Sequence, residues 1–192
     1  MIALDRAVFH LVNRAGSWIV FDWSMPVISD LKYFIPAIVL LVAWMLVRDG
    51  ARGRITVLCL AALVPLTDQV SSHLLKPAFQ RPRPCREESG MTEVITRARC
   101  SGRGSFPSSH AANMGGVAVL LGWRYRRRRT AVILAALTAF GVGYSRVYLG
   151  VHYPSDVLGG WMLGAGLAAG IAWAGDMGES VWRRRRAGAA GH

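Results

Sequence analysis

The chain is poor in acidic side chains, with 11 Asp and Glu against 23 Lys and Arg in 192 residues. Those acids are nowhere gathered into a cluster suited to a magnesium or zinc site. Internal repeats, low-complexity tracts and interdomain linkers are also missing, which leaves a single domain over residues 1–192. Cysteine is scarce. Cys59 lies inside an apolar block and reads as a small buried hydrophobe. Cys85 and Cys100 share one polar loop. If that loop faces an oxidising compartment the two can pair, a reading favoured over metal binding by two lone cysteines. Closing such a loop stabilises by roughly 3 kcal/mol in the chain-entropy account.

No cleavable signal peptide is evident. The N-terminus carries Asp5 and Arg6, then a mixed segment with Phe9, Leu11, Val12, Trp18 and Ile19. It reads as an amphipathic helix lying in the membrane interface, so that residues 1–30 form an interfacial segment. A crossing through residues 18–29 is the alternative, made costly by Asp22 and Asp30.

What is abundant is apolar sequence, 53% of the chain, and it comes in blocks. Residues 31–47, 55–70, 111–123, 130–144 and 157–174 approach or reach the roughly 17–25 residues a helix needs to cross a bilayer. As core helices of a soluble protein, five such blocks would leave little polar surface to cover them. The expected fold is all-α, an integral membrane helical bundle of about five to six transmembrane helices with an N-terminal interfacial helix. The net charge of +12 suggests nucleic acid at first sight. The arginines argue otherwise, because they sit in clumps between the apolar blocks instead of forming one basic face. Arg48, Arg52 and Arg54 form one clump, Arg124 and Arg126 to Arg129 a second, Arg183 to Arg186 a third. Successive crossings put all three on one side, which the positive-inside rule makes cytoplasmic. Membrane lipids are the expected partners of these arginines, and nucleic acid is not. Residues 73–107 then form a long outer loop, 148–153 a short outer turn and 183–192 a cytoplasmic tail.

That topology collects polar residues from three separate stretches at the outer helix ends. They are Lys76, Arg81, Arg83, Ser108, Ser109, His110, Ser145, Arg146, His152 and Asp156. Cations, hydroxyls and a helix N-terminus together make an anion site, and phosphate is the commonest such anion. A neutral imidazole can attack phosphorus, and a protonated one can give its proton to the departing oxygen. His152 and Asp156 are four apart, a spacing that lets the carboxylate fix the tautomer of the ring. Singly, each residue has a plainer reading. Ser108 is a helix cap, Asp156 compensates a helix dipole, and Lys76 and the loop arginines are solvated or bind headgroups. Arg146, following an apolar run at the membrane edge, is the hardest to explain that way.

At these residues the sequence resembles the type 2 phosphatidic acid phosphatase, or PAP2, superfamily. Its first motif, a lysine, six residues and Arg-Pro, matches Lys76, Arg83 and Pro84, the spacing selecting Arg83 over Arg81. Its second, Pro-Ser-Gly-His, matches Pro107 to His110 with Ser109 in place of the glycine. Its third, Ser-Arg, five residues, His, three residues and Asp, matches Ser145, Arg146, His152 and Asp156. All three occur in order and at the right spacing. The resemblance implies His152 as nucleophile, Asp156 as its partner and His110 as general acid. It implies Lys76, Arg83, Arg146 and Ser108 as phosphate ligands, with no metal and no cofactor because the cations supply the charge. Ser109 joins them through its backbone N–H if it starts a helix, and is strained if its position requires φ > 0.

The expected activity is metal-independent hydrolysis of a lipid phosphate or diphosphate through a phosphohistidine intermediate. The expected site faces the exterior or periplasm from a bacterial cytoplasmic membrane. Undecaprenyl diphosphate is favoured as substrate, with phosphatidylglycerophosphate, phosphatidic acid and lipid A 1-phosphate as rivals. A non-enzymatic lipid-phosphate transporter or scaffold is the alternative of another class. Vanadate-dependent haloperoxidases have a similar site but are typically soluble, and the apolar blocks count against them.

Overall fold

The computed structural model describes residues 2–102 and 104–189, and among them there are helices and loops but no strand. The N-terminal segment is two helices, α1 (Ile2–His10) and α2 (Ile19–Ser29), joined through a wide turn at Leu11–Ala15. A short turn, Leu31–Phe34, leads into α3 (Ile35–Arg48), and α4 (Gly50–Gln69) returns at once. Helix α4 runs on through a π turn, Val70–Leu75, into the short α5 (Lys76–Phe79). After a long loop come α6 (Ser109–Arg124), α7 (Arg129–Tyr148) and α8 (Pro154–Ala189).

Among the described residues, four stretches are long and apolar enough to cross a membrane: Leu31–Arg48, Gly50–Phe79, Arg129–Tyr148 and Pro154–Gly178. The architecture is that of a multi-pass helical membrane protein, with large apolar side chains such as Leu40 and Val47 exposed on its outside. The block at 111–123 forms α6, whose 16 residues give about 24 Å, and it packs at the centre of the bundle against α4, α7 and α8. One expectation needs correction. The loop begins only at Gln80, because the helix continues through His73 and Lys76 to Phe79. The expected tail at 183–192 is helical as far as Ala189, and residues 190–192 lie outside the described residues. The alternative crossing at 18–29 is α2, whose 11 residues are too few.

Helices α6 and α8 approach closely because Gly160 and Gly164 face α6. A Cβ on Gly164 would lie 2.0 Å from the Ala112 carbonyl oxygen, and one on Gly160 would lie 2.5 Å from that of Ser108. This is small-residue packing of the kind that joins helices in lipid, where no hydrophobic force drives them together. At the arginine-rich end, part of the basic clumps is internal stapling. Arg124 is buried and pairs with Asp176, Arg52 donates to the Arg124 carbonyl, and Arg128 and the Tyr125 hydroxyl both reach Asp49.

The opposite end is closed by the N-terminal helices and the loop. Phe9 is fully buried against Ala111, Val147, Tyr153 and Val157. Asn13, also fully buried, donates to the carbonyls of Ile95 and Tyr148 at 2.8 Å each and accepts from Ile95 N at 2.9 Å. Arg97 donates to Asp22, Ser17 and the Asn13 carbonyl. Cys85 and Cys100 are joined in a disulfide within the same loop.

Candidate active site

The residues singled out from sequence come together at the end away from the arginine clumps. Four elements deliver them: the end of the α4–α5 helix, the following loop, the start of α6, and the turn between α7 and α8. That turn is tight. Gly150 ends α7 at φ +79°, a conformation that L side chains avoid, and its N–H reaches the Val147 carbonyl at 3.0 Å. The N–H groups of Val151 and His152 then both donate to the Arg146 carbonyl, at 3.2 and 3.3 Å. The turn thereby fixes His152 against the end of α7, and Pro154 opens α8 two residues later.

His152 is buried, and its two ring nitrogens have distinct surroundings. Arg83 Nη1 lies 3.1 Å from Nε2 and donates at 3.1 Å to the Val151 carbonyl. A guanidinium can only donate, so Nε2 is the unprotonated nitrogen. The proton belongs on Nδ1, which faces Asp156 Oδ2 at 3.4 Å, within ion-pair reach though not aligned as a hydrogen bond. Burial pushes the His152 imidazole down to about 4, with Asp156 opposing the shift and Arg83 adding to it. The ring is therefore neutral at ordinary pH. Burial also lowers Arg83, against the pull of Asp156.

Asp156 is fully buried and richly supplied with donors. It accepts from Tyr153 N at 2.8 Å, from Arg81 Nη1 at 2.7 Å and from the Ser105 hydroxyl. Its own carbonyl takes the Ser108 N–H at 2.9 Å, which ties the first turn of α8 to the first turn of α6. Arg81 continues outward: its guanidinium sits 4.1 Å over the Tyr153 ring and reaches Asp5 Oδ2 at 2.5 Å. Asp5 in turn accepts from Ser155 N and Oγ at 2.9 and 2.6 Å. Of the two loop arginines, Arg83 stands at the ring nitrogen and Arg81 at the carboxylate.

Ser108 caps α6, its Oγ accepting from Ala111 N at 3.4 Å. Ser109 is the first residue of the helix and its φ is not positive, so the serine in the family's glycine position carries no backbone strain. Its hydroxyl meets Lys76 Nζ at 2.5 Å. His110, in the same first turn, is exposed, and the charges of Arg146, Lys76 and Arg83 all act on it. Arg146 donates to the Ser29 hydroxyl at the end of α2. The Nε groups of Arg83 and Arg146 are buried without a protein acceptor. Ser145 turns its hydroxyl back to the Val142 carbonyl within α7. Sequence reasoning missed Asp5, Ser71 and Ser105, whose partners are far along the chain; for Arg81, the doubled Arg-Pro was the available signal.

Fold and site together define a membrane helical bundle that holds a buried imidazole–carboxylate pair beside a cluster of cations. The comparisons agree: the PAP2 superfamily model matches residues 53–177, and the chain belongs to that family. A lipid A 4'-phosphatase from Bacteroides thetaiotaomicron is 36% identical over 110 residues, 56% of this chain and 48% of the relative. The undecaprenyl-diphosphatase BcrC from Bacillus subtilis is 29% identical over 143 residues, 73% of this chain and 67% of its own length. Thus the chain spans about half the length of the first of these, 48%. A transmembrane PAP2-type phosphatidylglycerolphosphate phosphatase from Bacillus subtilis superposes with a TM-score of 0.67 at 26% identity, covering 91% of this chain and 85% of that one.

Proposed function

We propose that the protein hydrolyses a lipid phosphate or diphosphate at the outer face of the bacterial cytoplasmic membrane, by way of a phosphohistidine. One observation carries the reading most directly. The unprotonated Nε2 of His152 lies against Arg83, and the Nε donors of Arg83 and Arg146 are buried with no protein acceptor. Buried donors of that kind call for an anion.

In this reading Lys76, Arg83 and Arg146 hold the phosphoryl oxygens, with the Ser108 hydroxyl and the Ser109 N–H beside them. His152 Nε2 attacks phosphorus as the bond to the lipid oxygen breaks. His110 gives its proton to that oxygen, and Asp156 stabilises the cationic ring. Water then attacks the phosphohistidine, His110 takes a proton from it, and inorganic phosphate leaves. The cations supply the charge stabilisation that a metal gives elsewhere. Among the described residues no three His, Cys, Asp or Glu side chains are grouped to hold a metal ion.

The arginine clumps support a cytoplasmic assignment for the end opposite the site. Undecaprenyl diphosphate is the favoured substrate, supported by the likeness to BcrC. Phosphatidylglycerophosphate, phosphatidic acid and lipid A 1-phosphate are its rivals. The test is phosphate release in detergent from a panel of these lipids with chelator present. Release is expected, and His152→Ala is expected to reduce it at least about 1000-fold, as loss of a covalent nucleophile does. Undiminished release by that variant would remove His152 as nucleophile. Strict dependence on added magnesium would remove the metal-free mechanism.

A further inference from the structure

We infer that Ser109 is a positioning residue that holds the Lys76 ammonium in the phosphate pocket through its side-chain hydroxyl. The inference rests on the phosphatase reading above and gives one residue of that site a role outside the family pattern, which has no side chain at this position.

The geometry is specific. Lys76 Nζ donates to Ser109 Oγ at 2.5 Å and lies 3.4 Å from Ser72 Oγ. Ser71, fully buried, donates to the same Ser109 oxygen at 2.8 Å, and Ser72 lies 3.2 Å from it. A hydroxyl offers two lone pairs and one proton. Here Lys76 and Ser71 take the lone pairs and Ser72 is placed to accept the proton, so the Ser109 hydroxyl is fully committed.

The π turn makes this convergence possible. In an α-helix residues 71 and 76 would point about 140° apart. The i→i+5 closure of Val70–Leu75 widens the turn, so that Ser71 and Ser72 both lie beside Lys76 and face α6. Such turns are frequent at functional sites.

The chemistry of the cradle matters as much as its shape. Among the described residues no carboxylate stands within ion-pair distance of Lys76; Asp68, which accepts from the Ser72 hydroxyl at 3.4 Å, acts on the ammonium from farther off. Hydroxyls orient an ammonium without neutralising it, so its positive charge stays available to a phosphate. A carboxylate in the same place would fix the side chain and cancel the charge it is there to present. With glycine at 109 the ammonium would lose its nearest acceptor and spread over more rotamers.

The experiment compares wild type with S109G, S109A and S109T in detergent. It measures kcat and KM on a short-chain phosphatidic acid and inhibition by orthovanadate, a phosphate mimic. Glycine is the family residue here, so S109G is expected to fold, with a melting temperature near that of wild type. S109G and S109A are expected to raise both KM and the vanadate inhibition constant by about tenfold, as loss of a hydrogen bond to a charged group does. Their kcat is expected to stay within about twofold, because binding and not the chemical step is weakened. S109T, which keeps the hydroxyl, is expected to stay near wild type in both constants. Unchanged KM and vanadate inhibition in S109G and S109A would overturn the inference, as would a loss confined to kcat. Wild type that neither releases phosphate from the probe nor binds vanadate would overturn the phosphatase reading, and this inference with it.

Discussion

His152 is the residue on which pH acts most directly. Its imidazole has an ordinary value of 6.5 and is pushed to about 4 by burial. In the proposed mechanism the attacking ring must be neutral, so kcat/KM is expected to hold down to about pH 4–5 and fall below it. The sign for stability follows from the same shift. The unfolded chain binds more protons between the two values, so keeping this ring neutral stabilises the fold fully above about 6.5. That contribution is lost as pH falls towards about 4, by up to about 3 kcal/mol. Melting in detergent across this window, with His152→Gln as reference, measures it. An acid limb of the rate near 6.5 would mean that the ring titrates as an exposed imidazole does. At this scale the residues that converge were legible, because imidazole, carboxylate and cations stand at fixed spacings on helix ends. Ser105 and Ser71 were not. A serine has no sequence signature that separates a buried donor to Asp156 or Ser109 from a solvated hydroxyl.

Helix α1 was legible only as an amphipathic element, and its attachment to the site was not. Asp5 reaches Arg81 across 76 residues and Ser155 across 150. No local pattern encodes pairs so distant. Physically, the Asp5–Arg81 pair braces the carboxylate that faces His152: Arg81 touches Asp156, and Asp5 fixes both Arg81 and the first turn of α8. The side chain of Asp5 is 9% exposed and that of Arg81 26%, so the pair is mostly desolvated. Removing one partner of a fully buried pair costs about 3–5 kcal/mol, and this partly open one is expected to cost about 2. Asp5→Ala is therefore expected to lower stability by about 2 kcal/mol and kcat by about tenfold, through a loosened Asp156. Thermal unfolding and steady-state kinetics in detergent check both. A variant with wild-type stability and rate would show that α1 only covers the site. The π turn was equally invisible from sequence, since a helix closed by i→i+5 bonds draws on the same residues as an ordinary one. Its consequence was the misplaced loop start at residue 73, where the helix in fact continues.

For the whole molecule, the helical class could be read from the apolar blocks. Helix–helix proximity could not. It depends on Gly160 and Gly164 meeting α6, a contact the apolar pattern does not reveal. This contact ties the bundle to its chemistry. Helix α6 begins with Ser109 and His110, α8 begins Pro154–Ser155–Asp156, and their spacing sets the site. Two alanine substitutions on one helix separate this role from a general intolerance of change. A Cβ at Gly164 would meet the Ala112 carbonyl oxygen at 2.0 Å and Gly116 N at 2.7 Å, both backbone atoms that cannot swing away. At Gly166, a Cβ meets nothing within 4 Å. Gly164→Ala is thus expected to cost about 1–3 kcal/mol by overpacking. It is also expected to lower kcat by at least about tenfold, because a misplacement on the order of 1 Å between reacting groups has effects of that size. Gly166→Ala is expected to keep wild-type activity and to gain up to about 1 kcal/mol from helix propensity. Equal behaviour of the two variants would mean that α6 and α8 slide freely, and that their contact does not hold the histidines in register.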